Sequence, residues 1–377
     1  MNKWQEIQGI YIHIPFCLQK CAYCDFASFP RQNEEIMKQY TQRLCQEITT
    51  WRGALPVVST ATVYFGGGTP SILPLKYIEE IVATLKTQGL WQKPTEATIE
   101  ANPGTLTVEK LQILKTLGFD RLSMGIQSLQ DTELKLMGRI HTKEQALEAI
   151  QAAKEAGFAR ISGDLIYGYP TQTQTTIANS LAGLVQAGLT HISVYGLTVE
   201  DGTPLSQQLA KGEIKLPTED EAGDMYDLVN AYLPKHGLQR YEISNYAQTG
   251  QESKHNLVYW HYYPYLGFGL GATGFDGRQR LTNVRTLAEY VQKQQPLQEE
   301  LSPATQLSEC IFMGLRLTKG INVEEINQRY DIDFFTKYGK ILEETQSQGL
   351  LTVEQGRTVR LTERGMALGN LVFEKFL

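Results

Sequence analysis

Cys17-Leu18-Gln19-Lys20-Cys21-Ala22-Tyr23-Cys24 places three cysteines in eight residues, directly after the apolar run Ile10-Tyr11-Ile12-His13-Ile14-Pro15. Thiolates are favoured ligands of iron–sulfur clusters, and a cluster ligated wholly by cysteine takes four. The triad supplies three. Cys45 shares a helical face with Leu44 and Ile48, and Cys310 lies beside Ile311 and Phe312, so both read as core. A four-iron cluster on three thiolates keeps one iron open, and an open coordination position serves binding or chemistry. Zinc would want a second C-x2-C or H-x3-H pair, and the chain has none. His13 sits on the strand-like run and reads as facing into a sheet or barrel. An odd cysteine count without a secretory leader argues against disulfides.

Outward from the triad, short β-branched runs alternate with amphipathic helical patterns as far as residue 200. Strands are expected at Ile10–Ile14, Thr62–Phe65, Thr98–Ala101, Arg121–Gly125, Arg160–Ile166 and Ser193–Leu197. Helices are expected over Gln32–Thr49, Pro74–Lys86, Thr107–Leu117, Lys143–Ala156 and Thr175–Gln186, several with glycine stops such as Leu117-Gly118-Phe119. Six β-then-α units predict an α/β fold with a parallel sheet and outer helices. Periodicity does not separate a doubly wound sheet from a barrel, but polar or glycine-rich signals after nearly every strand suit loops converging at one barrel end.

Residues 201–300 change character, with a turn at Asp201-Gly202-Thr203-Pro204, a helix near Glu219–Leu233 and then an aromatic- and glycine-rich stretch. Residues 301–377 read as three helices, a two-stranded ribbon over Leu350–Leu361 turning at Gln355-Gly356, and a last helix, the order of a winged helix. Seven Lys/Arg against nine Asp/Glu in residues 321–377 make nucleic-acid binding a weak reading for this tail. The expected division is therefore 1–200, 201–300 and 301–377.

Gly66-Gly67-Gly68-Thr69-Pro70 follows the second strand, where successive glycines allow close backbone approach and leave amide and carbonyl groups for a ligand. No Gly-Lys-Ser/Thr follows, so it is not a P-loop. Glu100, Gln127, Arg139 and Asp164 stand at or just beyond strand ends. Asp164 lies inside an apolar run, and a buried carboxylate needs a partner, either Arg139 or a ligand's hydroxyls.

With 42% hydrophobic and 20% charged residues the 377-residue chain reads as soluble and globular, one large domain with one or two smaller ones. A net charge of −6 offers no electrostatic footprint for nucleic acid or an anionic membrane surface. Met1-Asn2-Lys3-Trp4-Gln5-Glu6 lacks signal-peptide form, no stretch approaches a membrane span, and free thiols ask for a reducing compartment. The expectation is cytoplasmic.

The C-x3-C-x2-C spacing resembles the signature of radical S-adenosylmethionine (SAM) enzymes, in which the open iron is chelated by the amino and carboxylate groups of SAM. Together with Gly-Gly-Gly-Thr-Pro, Glu100, Ser123-Met124-Gly125-Ile126-Gln127, Arg139 and Asp164-Leu165-Ile166-Tyr167-Gly168-Tyr169-Pro170, it resembles the oxygen-independent coproporphyrinogen oxidase family from about residue 8 onward. That resemblance implies a partial (βα)6 radical SAM barrel followed by a smaller, mainly helical, winged-helix-like C-terminal domain. It implies a [4Fe–4S] cluster on Cys17, Cys21 and Cys24. It also implies SAM contacts from Tyr11, Tyr23, Gly67, Gly68, Thr69, Glu100, Gln127, Arg139 and Asp164.

Two departures point to a subfamily. The oxidase carries a fourth cysteine where this chain has Phe26, and an N-terminal extension for which a first strand beginning by residue 10 leaves no room. His255-Asn256-Leu257-Val258-Tyr259-Trp260 instead resembles the H-N-x-x-Y-W motif of HemW-type haem chaperones, which share the Cys-x-Phe. A neutral imidazole is a good axial haem ligand and aromatic rings pack on a porphyrin face. The resemblance implies haem ligation by His255, with His261 or Tyr259 as alternatives. The reading is a chaperone that binds haem and passes it to apo-haemoproteins, membrane-associated respiratory proteins among the acceptors it leaves open, and a homodimer left open as well. The rival reading is the oxidase itself, decarboxylating propionates to vinyl groups with SAM.

Overall fold

The computed structural model describes residues 3–377. Six parallel strands form the barrel wall: β1 (Ile7–Ile14), β2 (Val57–Gly67), β3 (Ala97–Ala101), β4 (Arg121–Gln127), β5 (Arg160–Tyr167) and β6 (His191–Gly196). Helices α1 (Glu34–Thr50), α2 (Leu75–Thr87), α3 (Val108–Leu117), α4 (Lys143–Glu155) and α5 (Gln174–Gln186) join them in turn. Local chemistry sets their ends. Asn33 and Thr107 accept from the amides of Ile36 and Lys110, Thr142 forms a capping box with Gln145, and Gly118 closes α3 at φ +114°.

The strands alternate in a way that defines the two faces of the wall. Ile10, Ile12, Val63, Phe65, Ile99, Leu122, Met124, Ile161, Leu165 and Ile192 are buried in the main apolar core with the helices. The residues between them, including Tyr11, Thr62, Tyr64, Glu100, Ser123, Asp164 and Ser193, are polar or aromatic and line the barrel interior. A period of two with one apolar and one polar set puts the core outside the sheet and the chemistry inside.

The parallel wall is one part of a twelve-stranded sheet. Strands β7 (Gln239–Arg240) and β8 (Asn245–Ala247) extend it antiparallel beyond β6, after helix α6 (Glu219–Lys235). Helix α7 (Lys254–Trp260) follows. Strand β9 (Tyr265–Phe268) then adds parallel to β1, and β10 (Thr273–Phe275), β11 (Gln279–Thr282) and β12 (Leu297–Glu300) continue antiparallel. The barrel is therefore open, flanked on both edges by segments from residues 239–300.

The C-terminal part packs around its own core of Leu307, Ile311, Leu315, Phe334, Leu342, Val359 and Val372. Helices α8 (Pro303–Leu315), α9 (Val323–Tyr330) and α10 (Phe334–Ser347) pack with a three-stranded sheet in the order β13 (Ile321–Asn322, between α8 and α9), β15 (Thr358–Leu361) and β14 (Leu351–Glu354), with the expected turn at Gln355-Gly356. This is the winged-helix order. Among the described residues no helix is long and apolar enough to cross a membrane.

Candidate metal and cofactor site

One cavity of about 950 Å³ opens at the C-terminal ends of the barrel strands. Cys17, Cys21 and Cys24 line it, on the loop that leaves β1. That loop is pinned by Ala22 N–H donating to the Met137 carbonyl (3.0 Å) and by the Gln19 amide donating to Gly138 O (3.1 Å). Burial pushes the Cys17 and Cys24 thiols up, with hydroxyl and backbone hydrogen bonds opposing it. The three thiols lie within reach of one another's charge, Cys21 acting on both Cys17 and Cys24. Among the described residues no three His, Cys, Asp or Glu are gathered closely enough for one metal ion. A cube of iron and sulfide takes its thiolates on separate corners and so holds them farther apart than the ligands of a single ion.

Arg139 bridges the thiol loop to the strand ends. Its Nη1 donates to Cys21 Sγ (3.3 Å), and its Nη2 to Asn102 Oδ1 (2.6 Å) and the Gly125 carbonyl. Its Nε is buried with no partner. A guanidinium held against sulfur, with one donor spare, suits an anionic group bound beside the triad. Thr69 performs a similar service at Cys17: its hydroxyl lies 3.7 Å from the Sγ and accepts from Asn102 Nδ2 (3.1 Å).

The glycine loop departs from the expectation that its amides stay free. Gly67 N–H donates to Glu100 Oε2 (3.1 Å), Gly68 N–H to Ile14 O (2.9 Å) and Thr69 N–H to Phe16 O (2.7 Å). With its donors spent, the loop can offer a ligand carbonyl oxygens, which suit an ammonium group. Gly67 has φ +112°, and a Cβ there would stand 2.5 Å from the His13 ring. His13 itself faces the cavity, its Nδ1 3.0 Å from Tyr11 Oη and its Nε2 3.1 Å from Ala27 O.

Glu100 and Asp164 face each other's field across the barrel interior. Burial raises Glu100 to about 7 against its hydrogen bonds from Tyr64 Oη (2.7 Å) and Gly67 N–H, with Asp164's charge adding to the rise. Burial lifts Asp164 to about 6, opposed by hydrogen bonds from Ser193 and Ser123. Of the two partners expected for Asp164, Arg139 or a ligand's hydroxyls, Arg139 forms no ion pair with it among the described residues. The barrel hydroxyls reach it first, and Arg139 is turned to Cys21 and Asn102. Gln127 takes φ +67° at a bulge in the β4–β5 pairing, a strained backbone of about 1–3 kcal/mol that aims its amide over Gly125.

Tyr11, Tyr23, Gly67, Gly68, Thr69, Glu100, Gln127, Arg139, Asp164 and the three cysteines all line this cavity. His255 does not. Its ring is 1% exposed, with Nδ1 2.8 Å from Thr62 Oγ1 and Nε2 2.8 Å from Tyr259 Oη, and it stacks on Tyr64 at 4.9 Å. Burial drives its pKa down to about 3, so the ring is neutral. Glu96 explains the placement: fully buried beside Arg121 (3.6 Å), it accepts the Lys254 and His255 amides and clamps α7 beneath the barrel. Tyr259, by contrast, reaches the cavity and stands between it and His255. His261 stacks on exposed-side Tyr263 at 5.3 Å. Asn102, Tyr64 and Glu96 escaped the sequence reading, whereas His13 faces into the barrel as its strand position suggested; the Glu-Ala-Asn-Pro run was the signal for Asn102.

A six-stranded parallel barrel with a three-cysteine loop after its first strand defines the radical SAM class, and the Radical SAM superfamily model matches residues 11–182. The HemN C-terminal domain model matches residues 301–368. The chain is 35% identical to the heme chaperone HemW of Lactococcus lactis, covering 99% of this chain and 98% of that protein. It is likewise 35% identical to that of Bacillus subtilis, over 98% and 99%. Bovine radical S-adenosyl methionine domain-containing protein 1, mitochondrial, is 32% identical over 96% and 85%. The chain belongs to the HemW family of radical SAM proteins. In fold it is similar to the solved coproporphyrinogen III oxidase HemN of Escherichia coli, with a TM-score of 0.85 at 24% identity over 100% of this chain and 91% of that one.

Proposed function

We propose that the chain is a haem chaperone whose core holds a [4Fe–4S] cluster on Cys17, Cys21 and Cys24 and binds SAM on the surrounding loops. What carries the reading is one cavity that joins the thiol triad and its polar strand ends to an aromatic wall of Tyr259 and Tyr265, next to the His255–Trp260 motif. Its size is at the upper end of small-molecule sites, with room for more than one ligand. When bound, the cluster with SAM supplies one-electron redox chemistry.

The residues of the chain divide the work. Arg139 offsets the charge of the thiolates through Cys21. Glu100, ionised, and the carbonyls of Gly66–Thr69 take an ammonium group. Asp164 is placed to accept from hydroxyls, and Gln127 holds the strand-end bulge over Arg139 and Asn102.

Haem is the cargo. Its proposed ligand is the neutral imidazole of His255, which in the state described here is sheathed by Thr62 and Tyr259. Baring Nε2 means turning one side chain, Tyr259, at the cost of a hydrogen bond worth about 1 kcal/mol, which an iron–nitrogen bond exceeds. Haem titration followed at the Soret band tests this: His255→Ala should lose the ligated spectrum, and Tyr259→Phe should bind at least as tightly as wild type. An unchanged spectrum for His255→Ala removes His255 as ligand, and loss of ligation in Tyr259→Phe assigns Tyr259 instead.

A further inference from the structure

Phe26 is 68% exposed, an unusual position for a phenylalanine, and it lines the mouth of the cavity next to the cysteine loop. Arg285 lines the same cavity. Among the described residues it makes no hydrogen bond, ion pair or ring contact.

Three contacts bring the two together. A Cβ on Gly271 would stand 3.4 Å from Ala27 Cβ, and Ala27 follows Phe26. The Gly271 N–H donates to the Val284 carbonyl (2.9 Å), and Val284 precedes Arg285. Asn283 fixes the same turn through its N–H to Ala272 O (2.9 Å) and its amide to Glu47 Oε1 (2.7 Å) and Gly269 O (2.8 Å). The backbone under Arg285 is thus anchored while its guanidinium is uncommitted. On the near side, Lys20 Nζ lies 3.4 Å from the Phe26 carbonyl.

An exposed aromatic ring and two cations lining one cavity match a flat apolar molecule with carboxylates on one edge. The acids lining the cavity sharpen the choice of edge. Glu100 and Asp164 occupy the barrel interior, so a carboxylate is repelled from the floor and held at the rim, while Asp25 and Glu200 lie exposed in water. We propose that Lys20, Phe26 and Arg285 form a rim site for the propionate edge of the haem, Arg285 pairing with a propionate and Phe26 packing on the ring. The proposal rests on the haem reading above and adds how the cargo is oriented.

The test uses the anaerobic, cluster-loaded protein, titrated at the Soret band with haem and with haem dimethyl ester in the same detergent-containing buffer. Wild type is compared with Arg285→Glu and Phe26→Ala, with cluster absorbance and melting temperature confirming intact folds. Arg285→Glu should weaken haem binding by about tenfold or more, the loss of a charge-assisted contact, and leave the affinity for the ester unchanged. Phe26→Ala should weaken both ligands. Haem binding indifferent to Arg285→Glu, or an equal loss for haem and ester, overturns the rim site. A wild type that takes up no haem overturns the haem reading itself, a separable result.

Discussion

Replacing Glu100 by glutamine should change how stability depends on pH, because this carboxyl is raised to about 7 in the fold from an ordinary value of 4.5. Between those two values the native protein holds a proton that the unfolded chain has released. Stability from this group therefore rises as pH falls from 7 towards 4.5, and the full penalty of a buried carboxylate is present above 7. At 1.36 kcal/mol per pH unit the penalty is about 3 kcal/mol at most, lower to the extent that water in the cavity solvates the group. For a chain of 377 residues the unfolding entropy is about 0.8 kcal/mol per kelvin, so the penalty corresponds to about 2–4 °C. Glutamine keeps an acceptor for Tyr64 Oη and cannot ionise. Thermal melts of the SAM-free protein between pH 5 and 8 should show wild type losing about 2–4 °C relative to Glu100→Gln as pH rises. If SAM's ammonium group sits at Glu100, wild-type SAM affinity should also strengthen through pH 7 while the variant's stays flat. Parallel melting curves for the two proteins would refute the buried-carboxylate reasoning.

Gly67→Ala places a methyl 2.5 Å from His13 at φ +112°, and should abolish SAM binding in equilibrium dialysis while the far-UV circular dichroism stays native. Glu96→Ala leaves Arg121 buried without its carboxylate and frees the amides of Lys254 and His255; denaturant titration should show a loss of about 3–5 kcal/mol. Reconstituted protein given coproporphyrinogen III, SAM and a reductant should yield no protoporphyrinogen IX by chromatography, and clear turnover would restore the oxidase reading.

Much of the barrel was legible because its chemistry is local. Each parallel strand is a β-branched run bounded by a polar or glycine signal, and the observed β1–β6 overlap every expected strand. The antiparallel extensions were not legible: β7, β8 and β10 are two or three residues long, too short to carry a period. The thiol triad and the glycine loop could be read as sequence because ligand spacing and backbone freedom are written in consecutive residues. Partners are another matter. Asp164 is satisfied by Ser193 and Ser123, and His255 is buried by Thr62, Glu96 and Tyr64, contacts between residues 29 to 193 positions apart that only the closed fold creates. A histidine in an aromatic motif looks the same in sequence whether it faces a cavity or lies under the barrel.

Iron and acid-labile sulfide, counted per chain on anaerobically reconstituted wild type and Cys21→Ser, bear most directly on the three-thiolate site. The account predicts about four of each with a broad visible absorbance in wild type, and their loss in the variant. Wild type without iron and sulfide, or a Cys21→Ser protein that carries them undiminished, would contradict it.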